Sequence, residues 1–534
     1  MTYRKRTYTG LFQGSPVNRF QAMPGVSIDI NTVKTIGSIY LLKPFLKALG
    51  IGEIVDRIAP MERDVGGLTH GQVIEQLVLN RLNDPCPLMH LEEWAEARGI
   101  MELYGIPPSK LNDDRVGRAL DEAATSDADI EDALTFAVLS RFPKIDTDNM
   151  LWDCTSFYFE GVHDDSELVR LGYSRDQKQD KKQAVVELNV TAREGIPLAH
   201  RLLPGNASDH KEALNNLERL KRLLKKKDFL IIGDRAMITR PNLASLLSNK
   251  MRFVGPLAGK EKEFILSFPE EAFKPLAYTR SKGKGGYYGI DTDYNLTHEK
   301  NSYTCRAVVI KSDELYEQQR KTLDKNIEKF EAKLQKIKDA LNVRKFKNID
   351  YVADRVKKAL QGQVFLKQLF RIILEGENGA LILRWKQDPL ILKQEDRLLG
   401  KYVLATSLDA KTDDTDAVLS AYKSRHRVED RFRSIKSTLK IRPVFLQNDD
   451  RIRSLVLVTI IALIVYALIE WVCQQERLAS SARQALFMFR MPAIISLTVN
   501  GQLVQQIGNI QPFMHEILDA LNVRPLELDD MNTG

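Results

Sequence analysis

Residues 421–439, AYKSRHRVEDRFRSIKSTL, sort by face when wound as a helix. At about 100° per residue, with Glu429 as zero, Tyr422 falls at roughly +20°, Arg425 at roughly −40° and Lys436 at roughly −20°. Val428, Phe432, Ile435 and Leu439 gather on the adjoining arc. One narrow face is therefore a carboxylate among cations and a tyrosine, and the face beside it is apolar. A solvated helix mixes its charges around the surface. Here one acid stands among bases at the edge of a buried stripe, able to hold a metal ion and a phosphate together. Asp430 lies about 100° further round, away from the stripe, and reads as a solvated acid.

Two more acids end or interrupt apolar runs. Residues 150–159 (MLWDCTSFYF), 184–191 and 197–203 read as strands, with turn chemistry at Arg193 to Gly195 and at Pro204-Gly205-Asn206. After a basic helix over 211–227 comes FLIIGDR, 229–235, a buried strand that delivers Asp234 at its carboxyl end, where open α/β sheets place their sites. Asp153 interrupts its strand in the same way, whereas Asp146 and Asp148 precede the apolar core of that strand and read as turn residues. An unpaired buried carboxylate is costly, and a divalent cation held between the two would satisfy both. A simple ion pair with Arg235 is the competing reading of Asp234.

Between Asp234 and Glu429 lie 194 residues, far more than one crossover needs. An insertion is expected there: strand-like runs over about 260–310 with a turn at Gly283-Lys284-Gly285-Gly286, then a seam of Leu323, Ile327, Phe330, Leu334, Ile337 and Leu341, spaced four and three apart. The seam is expected to pair within the chain, against Val352 to Phe365, with a dimer interface as the alternative. Trp385, the insertion's one tryptophan, lies between Arg384 and Lys386, a setting suited to base stacking beside a phosphate backbone or to the insertion's own core. Residues 1–145 are mainly helical in pattern, with helices over 71–82 and 91–98 separated by Pro85 and Pro87, and they offer no clustered catalytic residues.

The 534 residues, 43% hydrophobic, suffice for several cored domains. The net charge of +7 is concentrated: residues 170–227 hold 14 Lys/Arg against 7 Asp/Glu, and 423–442 hold 8 against 2. Four scattered cysteines form no CxxC pair, and the histidines form no HExxH, which argues against zinc and disulfide scaffolds and for a cytoplasmic protein. The opening MTYRKRTYTG lacks the apolar core of a signal peptide. The apolar run Leu455 to Ile469 covers 15 residues, short of the roughly 20 of a membrane span, and reads as a buried helix. GxxxGK at Gly255 to Lys260 is an incomplete nucleotide loop.

The spacing Tyr422-x2-Arg425-x3-Glu429-x6-Lys436 resembles the YREK signature of DDE-type insertion-sequence transposases. The likeness extends to the segments around Asp153 and Asp234, to Arg442-Pro443-Val444-Phe445, and to Leu68-Thr69-His70-Gly71 through Glu92-Glu93-Trp94-Ala95. It implies an α/β fold: an RNase H-like catalytic domain with a large β-plus-helical insertion and a mainly helical amino-terminal domain. The boundaries implied are 1–145 for a domain that recognises the element's ends, 146–257 and 397–475 for the two parts of the catalytic domain, 258–396 for the insertion and 476–534 for a carboxy-terminal helical region. Asp153, Asp234 and Glu429 would be the catalytic acids and hold two Mg²⁺ ions, with Mn²⁺ as a substitute, for cleavage and strand transfer. Tyr422, Arg425 and Lys436 would contact DNA, joined by Arg235 and Trp385. The partners implied are double-stranded DNA, as terminal inverted repeats and target, and a second copy of the chain in a synaptic homodimer, with no membrane. A nuclease that cleaves without joining, or a non-catalytic DNA-binding repressor, would carry much of the same pattern.

Overall fold

Apolar, aromatic and β-branched residues over 150–158 and 183–204 form strands of the sheet that carries Asp153. The computed structural model describes residues 28–61, 67–172, 180–207, 209–226, 228–257, 261–279, 285–441 and 446–528. The run Arg442 to Phe445, the opening decapeptide, Gly283-Lys284, Lys227 and Lys260 lie outside the described residues. In chain order the strands are β1 (Ile28–Thr35), β2 (Asn149–Tyr158), β3 (Gln183–Thr191), β4 (Pro197–Pro204), β5 (Leu230–Ile232), β6 (Arg252–Pro256), β7 (Lys274–Pro275), β8 (Tyr287–His298), β9 (Asn301–Ser312), β10 (Phe370–Glu375), β11 (Ile382–Gln387), β12 (Lys401–Thr406), β13 (Ala493–Val499) and β14 (Gln502–Gly508).

The chain forms two units, one of residues 142–438 and 442–449, the other of the remainder. In the first, a nine-stranded sheet runs β4-β3-β2-β5-β6-β12-β9-β8-β7. β2, β3 and β4 pair antiparallel, while β2, β5 and β6 pair parallel. The parallel pairings need crossovers, which the helices Asp209–Leu224 and Arg240–Ser248 supply. β3 is buried along its whole length, as a strand covered on both faces must be.

The insertion departs from its expected outline. The hairpin β8–β9 is no separate β subdomain: β12 pairs antiparallel with both β6 and β9, so the hairpin extends the main sheet. Only the segment after β9 stands apart, as a long helix, Asp313–Asp339, folded on shorter helices and the ribbon β10–β11. Its seam packs within the chain as expected. Ile327, Phe330 and Leu334 meet Leu366, Leu369 and Phe370, and Ile337 meets Val352, Leu381 and Leu383.

The second unit joins the amino-terminal helices to the carboxy-terminal part, so it cuts across the boundaries drawn at 145 and 476. β1 pairs with β13 and β13 with β14, a small sheet where a purely helical tail was expected. Helices His70–Asn83 and Leu91–Ala97 fall where the pattern put them, and Thr69 and Gln72 close a capping box on the first. The 27-residue helix Asp449–Gln475 is long and apolar enough to cross a bilayer, but 89% of its apolar window is buried within the protein.

Candidate active site

Register brings the first two acids together. β2 and β5 pair in parallel through Asn149↔Leu230, Met150↔Ile231 and Leu151↔Ile232. Asp153 follows Leu151 by two residues within β2, and Asp234 follows Ile232 by two, just past the end of β5, so both lie beyond the carboxyl side of the last register pair. Asp153 Oδ1 accepts the N–H of Cys154 at 2.8 Å. Asp234 Oδ1 accepts the N–H of Ala236 at 2.8 Å, a turn that holds the acid where the strand ends. Asp146 and Asp148 are turn residues, the Asp148 N–H donating to Asp146 Oδ1 at 2.7 Å.

The third acid comes from the quoted stretch, which is not one regular helix. It divides into a helix Thr415–Lys423, a turn at Ser424 and Arg425, a helix His426–Arg433 and a π-helical turn, Ser434–Thr438. π turns are rare and concentrate at functional sites, and this one alters the angle expected for Lys436. The apolar arc survives the correction: Val428, Phe432, Ile435 and Leu439 are buried. Helix His426–Arg433 packs on β2 and β3. Buried Arg431 pins it there by donating from Nε to the Gly195 carbonyl at 2.6 Å, in the β3–β4 turn. Glu429 is solvent-exposed on this helix, and Asp430, also exposed, pairs with Arg433.

Arg425 lies among the acids. Its Nη2 donates to Asp153 Oδ2 at 3.0 Å, and its guanidinium stands 5.8 Å from the Tyr422 ring. Burial pulls the Arg425 pKa down, but Asp153, Tyr422, Asp234 and Glu429 together raise it above the usual arginine value, so one cation feels all three carboxylates. The three acids offer only oxygen, the donor a hard divalent ion takes, so their chemistry fits Mg²⁺. Among the described residues no group of three or more His, Cys, Asp or Glu is drawn close enough to cage a metal, and the cation at hand in the cluster is the guanidinium.

The other predicted contacts are dispersed. Lys436 Nζ lies 5.8 Å from the Phe157 ring, on the strand of Asp153. Arg235 is exposed and pairs with Glu261 at 3.3 Å. Trp385 stands apart in the insertion, half-buried against both its apolar clusters, with Lys338 Nζ 5.5 Å from the ring. Sequence reasoning missed a tyrosine box: Lys423 Nζ stands 4.7 Å from the Tyr287 ring and 5.5 Å from that of Tyr402, which in turn lies 5.9 Å from Tyr422. Burial, with Tyr422, Tyr287 and Tyr278 nearby, pushes the Tyr402 hydroxyl well up. No local motif could reveal that box, because its members come from β8, β12 and the helix after β12.

Comparison with known proteins gives two matches along the sequence. The profile of the transposase DDE domain matches residues 153–465, and that of a domain of unknown function, DUF4277, matches 31–134. No curated protein matches the chain. Among solved structures it is similar to a cryo-EM structure of the piggyBac transposase synaptic complex with hairpin DNA. The identity is 10%, with 94% of this chain and 87% of that one covered, at a TM-score of 0.38.

Proposed function

Because the chain belongs to the transposase DDE domain family, we propose that it cleaves DNA at the ends of an insertion sequence and joins those ends to target DNA, using Asp153, Asp234 and Glu429. The observation that carries this reading is that the parallel neighbours β2 and β5 lead to Asp153 and Asp234, with the Arg425 guanidinium bonded to Asp153 and its pKa raised by Asp153, Asp234 and Glu429 alike. The central β2, flanked by antiparallel β3 and parallel β5, supports an RNase H-like core for the catalytic unit. The three carboxylates would hold divalent metal, Mg²⁺ by donor chemistry, which when bound activates a water or a DNA 3′-hydroxyl and stabilises the leaving oxygen.

The protein's own side chains bind and orient the DNA. Arg425 presents a planar fork suited to a phosphate, Lys436 a point charge and Tyr422 a hydroxyl, all on the segment that carries Glu429. Arg431, on the helix that carries Glu429, holds that helix on the sheet through the Gly195 carbonyl. A role for residues 1–145 in recognising the ends has to contend with charge: residues 31–134 hold 18 Asp/Glu against 10 Lys/Arg. We assign the main phosphate contacts to the catalytic unit and its insertion instead.

The test uses duplexes carrying the inverted repeats that flank the gene, assayed separately for cleavage and for joining. Asp153→Asn, Asp234→Asn and Glu429→Gln each remove a charge and keep the side-chain volume. All three should lose both reactions in Mg²⁺ while end-DNA affinity stays within about threefold, since the phosphate-binding cations remain. Substantial cleavage by any one of them removes that residue from the site. Cleavage without joining by the wild-type protein would favour a nuclease.

A further inference from the structure

Arg425 and Asp153 hold one another in a setting that neither charge tolerates alone. Their side chains are 15% and 12% exposed. Both Asp153 oxygens are engaged, Oδ1 by the Cys154 N–H and Oδ2 by Arg425 Nη2. The guanidinium is less well served, because its Nε is buried and has no hydrogen-bond partner among the described residues. A buried donor without an acceptor costs free energy, so the pairing is sufficient to neutralise Asp153 yet poorly matched to the whole fork. A phosphate, with several acceptor oxygens, would engage more of that fork than one carboxylate oxygen does.

We propose that Arg425 is the resident cation of the acid cluster in the metal-free protein, and that a divalent ion competes with it for Asp153 Oδ2, so that metal entry releases the guanidinium to a DNA phosphate. The proposal rests on the reading of Asp153 as a metal ligand. It makes Arg425 a positioning residue that couples two binding events: metal frees the phosphate-binding fork, and a phosphate that takes the fork frees the carboxylate for metal. By linkage, each ligand strengthens the other by the same factor.

The experiment titrates Mn²⁺ into the full chain without DNA, read by electron paramagnetic resonance of the free ion. Arg425→Gln removes the competing cation and should bind Mn²⁺ roughly tenfold tighter than wild type, the scale of one partly buried ion pair. Unchanged or weaker Mn²⁺ binding by this variant, with a native circular-dichroism spectrum, overturns the proposal. Asp153→Asn is the control for the premise: if it binds Mn²⁺ as wild type does, Asp153 is no ligand and the metal reading falls along with the coupling.

A second measurement needs no Arg425 variant. The salt dependence of wild-type DNA binding should steepen by about 0.9 in log–log slope when Ca²⁺ is present, as Arg425 becomes one more phosphate-binding cation. Asp153→Asn, which cannot hold the guanidinium in an ion pair, should show the steeper slope both with and without Ca²⁺. Equal slopes with and without Ca²⁺ in the wild type would overturn the exchange.

Discussion

Single residues in this chain owe their chemistry to their neighbours, and Glu75 shows the effect away from the acid cluster. Burial is the largest influence on its carboxyl, with Glu53 and Asp56 adding to it and the Tyr104 hydrogen bond and Lys43 opposing; its pKa is raised to about 7. Glu75 therefore stays protonated in the folded state while the unfolded chain ionises. Its contribution to stability is full below about pH 4.5 and is lost as pH rises towards 7, by up to about 3 kcal/mol. Glu75→Gln cannot titrate, so its stability relative to wild type should improve across that window in denaturant melts. A pH-independent difference would mean that Glu75 is ionised in the fold. The three candidate acids stood out in the sequence because each breaks an apolar pattern: Asp153 in a strand, Asp234 at a strand end, Glu429 beside a buried stripe. The pairing of Arg425 with Asp153 was not legible, since it joins residues 272 apart through the packing of a helix on a sheet.

The strands and the apolar helices were readable as elements from period and turn chemistry, but their junctions were not. The turn at Ser424 and Arg425 and the π turn at Ser434–Thr438 are departures of hydrogen-bond register that helical spacing alone does not encode. Nor did the strand-like runs of the insertion disclose that β8 and β9 would join the main sheet, because an edge is chosen by the partner offered to it. The element that fixes Glu429 depends on one glycine. Gly195, at φ +71°, turns β3 into β4, and a Cβ there would meet Arg431 Nη2 at 3.2 Å. Gly195→Ala should cost about 1 kcal/mol through the left-handed backbone. It should also lower the single-turnover cleavage rate several-fold with little loss of DNA affinity, because it displaces the helix carrying the acid and not the DNA-binding charge as a whole. Equal losses in rate and affinity would place the damage in DNA binding.

Across the whole molecule, charge is segregated. The acid excess of residues 31–134 contrasts with residues 343–372, where eight Lys/Arg face two Asp/Glu, and all eight are exposed. Among the described residues only Lys358 of the eight makes an ion pair, with Asp354 at 2.8 Å. If the insertion helps to hold DNA, replacing Arg355, Lys357 and Lys367 together by Gln should flatten the salt dependence of binding by about 0.9 for each phosphate no longer neutralised. It should do so equally on end and random duplexes, with binding measured in filter or fluorescence titrations; an unchanged slope would leave this face without a DNA role. The separation of the acids along the chain has a further consequence, during synthesis. Asp153 leaves the ribosome first and Asp234 follows 81 positions later, and 194 residues intervene before Glu429. At roughly 5–20 residues per second that interval is on the order of 10–40 s, during which a nascent chain carries two acids and no third. On the proposed reading of these acids, a polypeptide interrupted anywhere before residue 429 carries an incomplete set, and only a finished catalytic unit would cut DNA.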